Sequence, residues 1–253
     1  MSLCEEHQRE PLPSAPGPFL SEEAADTYAN KIALHKKPFL KFLDEFNWKY
    51  PASDPNQQFL DIGCGTGDVT RERILPRCPP CRRLVAVDFS AKMLEYAREH
   101  FAHPLIEYKQ LDIGLSVDDF LADYGTFQRV YSMRVLHWVR DQPRAFSNIS
   151  RLMVKGGECL LLFLGRCDTF EFIGKMAELE AWKKYSDLFR AVIPKTHAMT
   201  DVAQLREYAA NLVQTAGLQL IQLDIWERDS SFLNTEDAVG KIPGITTAPF
   251  SNL

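Results

Sequence analysis

One stretch constrains the fold of this chain more than any other. Residues 59–67 read Phe-Leu-Asp-Ile-Gly-Cys-Gly-Thr-Gly, a short apolar run that ends in an acid and continues with glycine at every second position. Because glycine has no Cβ, Gly63, Gly65 and Gly67 allow the backbone to turn sharply and to approach a ligand closely. The pattern is typical of the turn between the first strand and the first helix of a nucleoside-binding α/β domain.

The spacing of these glycines indicates which ligand the turn accepts. A dinucleotide-binding turn needs the pattern G-x-G-x-x-G, but counted from Gly63 the sixth position is Asp68. A phosphate-binding loop needs a lysine after its last glycine, and none follows Gly67. An acid at the start of the helix also disfavours a phosphate, because phosphates bind at that end of a helix. The turn is therefore predicted to hold a nucleoside without phosphates.

Two later apolar runs also end in acids. Residues 84–88 end at Asp88, about twenty residues after the glycines, where nucleoside-binding sheets place an acid that binds ribose hydroxyls. Ser90 is a predicted cap for a helix that carries Met93. A third run, residues 106–113, contains Asp112 and Ile113 at its end. Three predicted strands therefore each have an acid at or near their end. This strengthens the prediction that the chain binds a nucleoside.

These segments together resemble the class I S-adenosylmethionine-dependent methyltransferases. The resemblance implies a Rossmann-like α/β fold with a mostly parallel twisted sheet, helices on both faces and an N-terminal helical lid. It implies S-adenosyl-L-methionine as the cofactor, with the adenine amino group near Asp112. The implied cofactor-binding residues are Asp61, Gly63, Cys64, Gly65, Gly67, Asp88, Phe89, Met93, Asp112, Ile113 and Ser132.

A second resemblance extends over about residues 28–250 and is densest at 59–67 and 130–165. The stretch around Leu136-His137-Trp138, followed by Gly156-Gly157, resembles the insect juvenile hormone acid O-methyltransferases, which methylate the carboxylate of a long isoprenoid acid. In that family a tryptophan matching Trp138 borders the substrate, and a glutamine after a leucine contacts the carboxylate. Here His35 stands in the position of that glutamine. The implied substrate-binding residues are Tyr28, His35 and Trp138.

No catalytic acid or base is predicted. A carboxylic acid is ionised at pH 7 because its pKa is about 4–5, so the acceptor needs no base. Trp138 and His35 would position the substrate rather than move protons. No metal is predicted either, since Cys78-Pro-Pro-Cys81 has the spacing of a zinc knuckle but lacks a second Cys/His pair nearby.

The order of the segments predicts one domain with additions. With 253 residues, of which 45% are hydrophobic, the chain fits one domain with a small lid. We expect a flexible leader at 1–20, a helical lid at 21–50 and a methyltransferase domain at 51–253 with an inserted lid segment at 168–197. A helix at 200–215 should end at Gly217, and a strand should follow at 218–226. The family's last strand is expected to be missing, which would leave that strand without a neighbour.

Composition limits the partners. The net charge of −5 disfavours nucleic acid and anionic membrane surfaces as partners. The resemblance to the juvenile hormone acid O-methyltransferases implies a small-molecule carboxylic acid as the substrate. The first residues carry no secretory signal, which favours a cytoplasmic location. Three alternatives stay open: methylation of another small acid such as a dicarboxylate, a nucleic-acid or protein methyltransferase, and a protein of this fold that binds the cofactor without catalysis.

Overall fold

The computed structural model describes residues 43–44 and 54–226 of the chain. The predictions of a leader and an N-terminal helical lid, and the substrate residues Tyr28 and His35, lie outside these residues. So does the expected absence of a last strand. None of the described helices is long and apolar enough to cross a lipid bilayer.

Five parallel strands form one sheet with the order β3-β2-β1-β4-β5. Their bounds are β1 Gln58–Ile62, β2 Arg83–Asp88, β3 Ile106–Gln110, β4 Phe127–Met133 and β5 Met153–Leu162. After β3 the chain crosses back, so β4 pairs with the other side of β1. Loops that leave β1 and β4 at their carboxyl ends therefore diverge and open a crevice, which is where such sheets bind ligands.

Helices and helical turns alternate with the strands along the chain. A π-helical turn at Thr70–Ile74 continues as a 3-10 turn at Leu75–Arg77. Further 3-10 turns lie at Leu136–Trp138, Glu180–Tyr185 and Lys195–Ala198. The α-helices are α1 Ala91–His100, α2 Asp118–Tyr124, α3 Gln142–Leu152, α4 Asp168–Glu178, α5 Ser186–Ala191 and α6 Val202–Thr215.

The sheet is buried on both faces. Successive residues of a strand point to opposite faces, so Leu60 and Val85 belong to one apolar cluster while Phe59 and Leu84 belong to the other. Helices cover both clusters, which is the arrangement that all-parallel sheets require. The predicted Rossmann-like α/β fold is confirmed for the described part of the chain.

The last described residues correct one prediction and confirm another. Helix α6 ends as predicted, because Gly217 adopts φ +73° and Leu218 N–H donates to Val213 O at 3.0 Å. The strand predicted at 218–226 is wrong: these residues form no strand. A strand needs a ladder partner, and residues 222–226 instead line a cavity beside β5. Arg206 holds this segment by a hydrogen bond to Leu223 O at 2.8 Å.

The segment at 168–197 is helical, since it contains α4, α5 and two 3-10 turns. Phe170 on α4 is fully buried, whereas Phe172, Trp182 and Leu188 are exposed. The segment therefore packs on the domain by one side and presents apolar side chains on the other. Its role as a lid stays a prediction.

Candidate functional site

The predicted glycine turn, residues 63–67, lies at the carboxyl end of β1. Gly63, Gly65 and Gly67 have φ values of +74°, +55° and +80°, which residues with a side chain rarely adopt. The N–H groups of Gly63 and Cys64 both donate to Val87 O, at 2.7 and 3.0 Å. These bonds fasten the turn to the end of β2, so two neighbouring strand ends form one rigid edge.

Two of the glycines are required for packing as well as for conformation. A Cβ on Gly63 would lie 2.1 Å from Val135 Cγ2, and one on Gly67 would lie 2.7 Å from Tyr108 Oη. The sequence predicted that the missing side chains make room for a ligand. The structure shows that at positions 63 and 67 the chain's own side chains occupy that room.

Asp88 at the end of β2 has the geometry expected of a ribose-binding acid. Its Oδ2 accepts from Gly65 N–H and its Oδ1 accepts from Ser90 N–H, both at 2.9 Å. The carboxylate is nearly buried, and this burial raises its pKa, while the two N–H donors oppose the rise. Each carboxylate oxygen can accept a second hydrogen bond, so Asp88 can bind two ribose hydroxyls without releasing the turn.

Asp61, also predicted as a cofactor residue, has an internal partner. Its Oδ2 accepts from the Thr70 hydroxyl at 2.5 Å, and burial raises the pKa of Asp61 to about 7. Thr66 Oγ1 donates to Asp68 Oδ1 at 2.9 Å inside the same turn. Asp68, the acid at the position where a dinucleotide-binding turn needs glycine, therefore closes the turn by accepting from Thr66. The sequence analysis did not assign such a role to Thr66, Asp68 or Thr70.

The loop after β3 carries Asp112 and Ile113 and is held by a residue that the sequence analysis missed. Asn148 on α3 donates from Nδ2 to Ile113 O at 2.9 Å and to Leu115 O at 2.6 Å. Asp112 Oδ1 accepts from Gly114 N–H at 2.9 Å, which tightens the loop further. Asn148 is one of two amides among the buried residues of α3, the other being Gln142, and a pattern of apolar residues does not detect either.

Three other predicted residues lie at the same edge of the sheet. Phe89 O accepts from Gln110 Nε2 at 3.0 Å, and buried Met93 has its N–H capped by Ser90 Oγ at 3.3 Å. Ser132 near the end of β4 is fully buried beside Ile62, and its hydroxyl has no partner in the described part of the chain. A buried donor without a partner at this edge suits a ligand with polar atoms.

The chain leaves β4 in a strained conformation. Arg134 has φ +65°, the only positive value at a non-glycine residue between 54 and 226. Its N–H donates to Leu162 O at 2.6 Å, so the pairing of β4 with β5 continues into the bend. The bend directs Val135 onto Gly63 and leads into the turn that carries Trp138. Such strain is concentrated at functional sites.

Trp138 lies in an aromatic cluster beyond β4. Its ring centroid is 5.3 Å from that of Phe170 and 5.2 Å from that of His137, and Phe170 is also 5.8 Å from His197. Trp138 is half-buried, so part of its ring faces outward. We call Trp138 and Phe170 the aromatic wall. It joins the segment after β4 to α4 of the inserted segment.

His137 is not arranged as a general base. It is 2% exposed, and burial holds its pKa well below the usual range. Its Nδ1 accepts from Leu164 N–H at 3.4 Å, so the ring binds the backbone after β5. Cys78 and Cys81 carry free thiols, and burial raises the pKa of Cys78 to about 12. The described residues contain no group of three or more His, Cys, Asp or Glu that could hold a metal.

The structure thus brings most predicted site residues to one edge of the sheet. The glycine turn follows β1, Asp88 is the last residue of β2, and the Asp112 loop follows β3. Ser132 belongs to β4, and Trp138 belongs to the turn after it. The glycine turn and the two acids, Asp88 and Asp112, fit a nucleoside. Trp138 of the aromatic wall follows β4, the strand that pairs with β1. The contacts of each residue with a ligand stay predictions.

The chain is similar in sequence to known methyltransferases. A family profile described as "Methyltransferase domain" matches residues 59–157. Juvenile hormone acid O-methyltransferase of Bombyx mori is 33% identical over 178 residues, 70% of this chain and 63% of that protein. Malonyl-(acyl-carrier protein) O-methyltransferase of Pectobacterium atrosepticum is 31% identical over 159 residues, 62% of this chain and 55% of that protein. The chain thus spans less than two thirds of either relative.

A solved structure shares the fold. Phosphoethanolamine N-methyltransferase 2 of Haemonchus contortus, solved with phosphomonomethylethanolamine and S-adenosylhomocysteine, gives a TM-score of 0.53 at 18% identity. The match covers 83% of this chain and 44% of that one. At this identity the likeness establishes the architecture alone.

Proposed function

We propose that the chain is a class I S-adenosylmethionine-dependent methyltransferase that methylates the carboxylate of a lipophilic acid, and the matching methyltransferase-domain profile and the O-methyltransferase relatives support this. The proposal covers an isoprenoid or fatty acid as the acceptor and S-adenosyl-L-methionine as the donor. Two relatives named above are O-methyltransferases of acids by their names, which supports a carboxylate acceptor. The proposal also includes a cytoplasmic location. It includes no nucleic-acid partner, which the net charge of −5 supports.

One observation carries the proposal: the segment after β4 contributes Trp138 to the aromatic wall, and His137, the histidine next to Trp138, is not available as a base. Trp138 and Phe170 supply apolar surface, and His137 is buried and accepts from backbone. An alcohol, a phenol or an amine would need help in losing a proton at this point. A carboxylate needs none, because it is already ionised at pH 7.

The cofactor-side residues have distinct roles in this proposal. Asp88 would accept from the ribose hydroxyls, and charge-assisted hydrogen bonds of this kind contribute about 1.5–3 kcal/mol each. The Asp112 loop would hold the adenine, and the Ser132 hydroxyl would bind a polar atom near the end of β4. When bound, S-adenosylmethionine supplies an electrophilic methyl group on a positively charged sulfur.

The acceptor-side residues would act by position and by excluding water. Trp138 and Phe170 replace water around the carboxylate with ring surface, which disfavours the isolated charge more than the neutral ester that forms. Alignment of the two reacting groups can lower the barrier by up to about 7–11 kcal/mol. Arg134 and the bend after β4 fix the position of Trp138 relative to the glycine turn, so this alignment is built into the backbone.

The experiment is a transfer assay with tritiated methyl donor over a panel of acids. Farnesoic acid, juvenile hormone acid, decanoic acid and malonic acid would be compared, with farnesol as a control that lacks the carboxylate. We expect the lipophilic acids to give a tritiated methyl ester, which dissolves in organic solvent and loses its label in base. Farnesol should give no such product. If the chain binds S-adenosylhomocysteine but transfers label to no acid, the proposal is wrong and cofactor binding without catalysis is the better assignment.

A dicarboxylate is the second candidate acceptor. The relative from Pectobacterium atrosepticum favours it, because its name specifies a malonyl group as the acceptor. The same panel separates the two candidates, since preferential labelling of malonic acid would select the dicarboxylate. The aromatic wall favours the lipophilic acid, because rings provide no partner for a second charge.

A further inference from the structure

Four polar atoms in residues 166–197, the segment that carries Phe170, are buried without a hydrogen-bond partner in the described residues: Arg166 Nε, Thr169 Oγ1, Thr196 Oγ1 and His197 Nδ1. We call Arg166, Thr196 and His197 the acceptor cluster. Arg166 follows β5, and Thr196 and His197 belong to the 3-10 turn at Lys195–Ala198. The His197 ring lies 5.8 Å from that of Phe170, so the cluster adjoins the aromatic wall.

Unpartnered atoms in such a cluster need a physical explanation. Buried polar groups in folded proteins nearly always find a hydrogen-bond partner, because leaving one unpaired destabilises the fold. Thr196 is only 2% exposed, so bulk water does not serve its hydroxyl. All three groups can donate a hydrogen bond, His197 in the tautomer with a proton on Nδ1. A ligand that presents several acceptor oxygens would satisfy them together.

The charge at the cluster favours an anion. Arg166 is always protonated, and both burial and the charge of Arg166 lower the pKa of His197. Glu171 on α4 is the acid close to both, but its Oε1 is bound to Lys175 Nζ at 2.7 Å. The cluster therefore presents a cation and two neutral donors, which suits a carboxylate better than a neutral group.

A mainly apolar cavity lies against the same cluster. Its volume is about 160 Å³, and its walls include Leu160, Leu162, Leu205 and Trp226 together with Thr196. Gln222 and Asp224 also line it, and the Gln222 amide donates to the Asp224 carboxylate. A dry engineered cavity of about 150 Å³ binds benzene, so this space can take several methylene groups or one isoprene unit. Since Thr196 belongs to both the cavity and the cluster, a ligand that fills both has a polar head and an apolar chain.

We propose that Arg166, Thr196 and His197 bind the carboxylate of the methyl acceptor while the adjoining cavity takes the apolar chain next to it. This inference rests on the proposed function and names the residues that select the substrate. A carboxylate offers about four lone-pair positions, so three donors leave one for methyl transfer. The ester product has lost its charge and is bound more weakly, which favours its release.

Binding of decanoate provides a test that does not depend on turnover. Calorimetry with S-adenosylhomocysteine present would compare decanoate with decan-1-ol, which has the same chain and no charge. We expect Arg166→Gln to weaken decanoate at least 10-fold and decan-1-ol less than 2-fold. Lys195→Gln is the matched control, because Lys195 is exposed in the same segment and its loss removes the same charge. It should change neither affinity.

Thr196→Val gives a readout that a merely structural role would not produce. Valine has nearly the same shape, so it removes an unpartnered hydroxyl without leaving a cavity. We expect a raised melting temperature together with at least 3-fold weaker decanoate binding. With acids that the chain methylates, both variants should raise KM by more than they lower kcat.

The outcomes separate this inference from the proposed function. If Arg166→Gln and Thr196→Val bind decanoate like the unmodified chain, the acceptor cluster does not bind the carboxylate. Unchanged KM in variants that still methylate acids would overturn the cluster and leave the methyltransferase proposal intact. Weakened decanoate binding without methylation of any acid would support the cluster as a carboxylate site and overturn the proposed activity.

Discussion

The glycine turn follows β1 and the acceptor cluster begins after β5, and the two regions are built in opposite ways. In the turn, the N–H groups of Gly63, Cys64 and Gly65 all have partners within the chain. In the cluster, Arg166, Thr196 and His197 each carry a buried polar atom without one. The turn is complete by itself, whereas the cluster has donors left over for a ligand.

This difference follows from what each region would recognise. A cofactor common to a whole class can be held by backbone geometry, which varies little with side chains. An acceptor that differs between enzymes has to be recognised by side chains. Changes in the turn should therefore affect folding and cofactor binding together, while changes on the acceptor side should affect turnover and leave the fold intact.

The largest effect is expected for Gly63→Ala. A left-handed alanine costs about 1–2 kcal/mol, and overpacking against Val135 adds about 1–3 kcal/mol, so the free energy of unfolding should fall by about 2–5 kcal/mol. Urea denaturation measures this change. Gly217→Ala is the matched control, since Gly217 has a similar φ of +73° and nothing within 4 Å of its Cβ position. It should lose only the conformational part.

A second substitution tests whether the clash is the cause. Val135→Ala introduced beside Gly63→Ala should recover part of the lost stability, because the two residues are in contact and their effects are not additive. Equal destabilisation by Gly63→Ala and Gly217→Ala would contradict the packing role of Gly63.

An intermediate effect is expected for Asp88→Ala. Loss of the ribose acceptor should weaken binding of S-adenosylmethionine by about 2–3 kcal/mol, or roughly 30- to 150-fold in Kd. Calorimetry measures this affinity, and Asp123→Ala, which removes an exposed acid from α2, is the control for net charge. Because Asp88 also holds Gly65 and Ser90, the melting temperature should fall as well. Unchanged affinity would refute the assignment of Asp88.

The smallest effect is expected for Trp138→Ala, and it should appear in turnover. Loss of the ring misplaces the acceptor, so kcat should fall roughly 10- to 100-fold while cofactor affinity stays within about 2-fold. Trp138→Phe, which keeps a ring against Phe170, should retain most of the rate. An equal loss of turnover and of cofactor affinity would move Trp138 from the substrate side to the structural core and break the contrast between the two regions.

The same contrast explains how much could be predicted from the sequence. The glycine turn, Asp88 and the alternating strands depend on local patterns, so their positions were predicted correctly. Asn148 was missed because its partners at 113 and 115 lie more than thirty residues away. Arg166 and His197 were missed because they come together only when α4 packs on the sheet. The strand at 218–226 was wrong because an apolar pattern does not reveal whether a neighbouring strand is available.

The contact between Val135 and Gly63 limits how this protein can diverge. Val135 begins the segment after β4 that leads to Trp138. Its side chain occupies the position that a Cβ at residue 63 would need, so residue 63 has to be glycine. A lineage that acquires a new substrate by remodelling residues after β4 therefore has to preserve a small branched side chain at this point. Sequence variation should accumulate instead around positions 166 and 196, which lie outside the glycine turn. New substrate specificities can then arise while the protein keeps the same methyl donor.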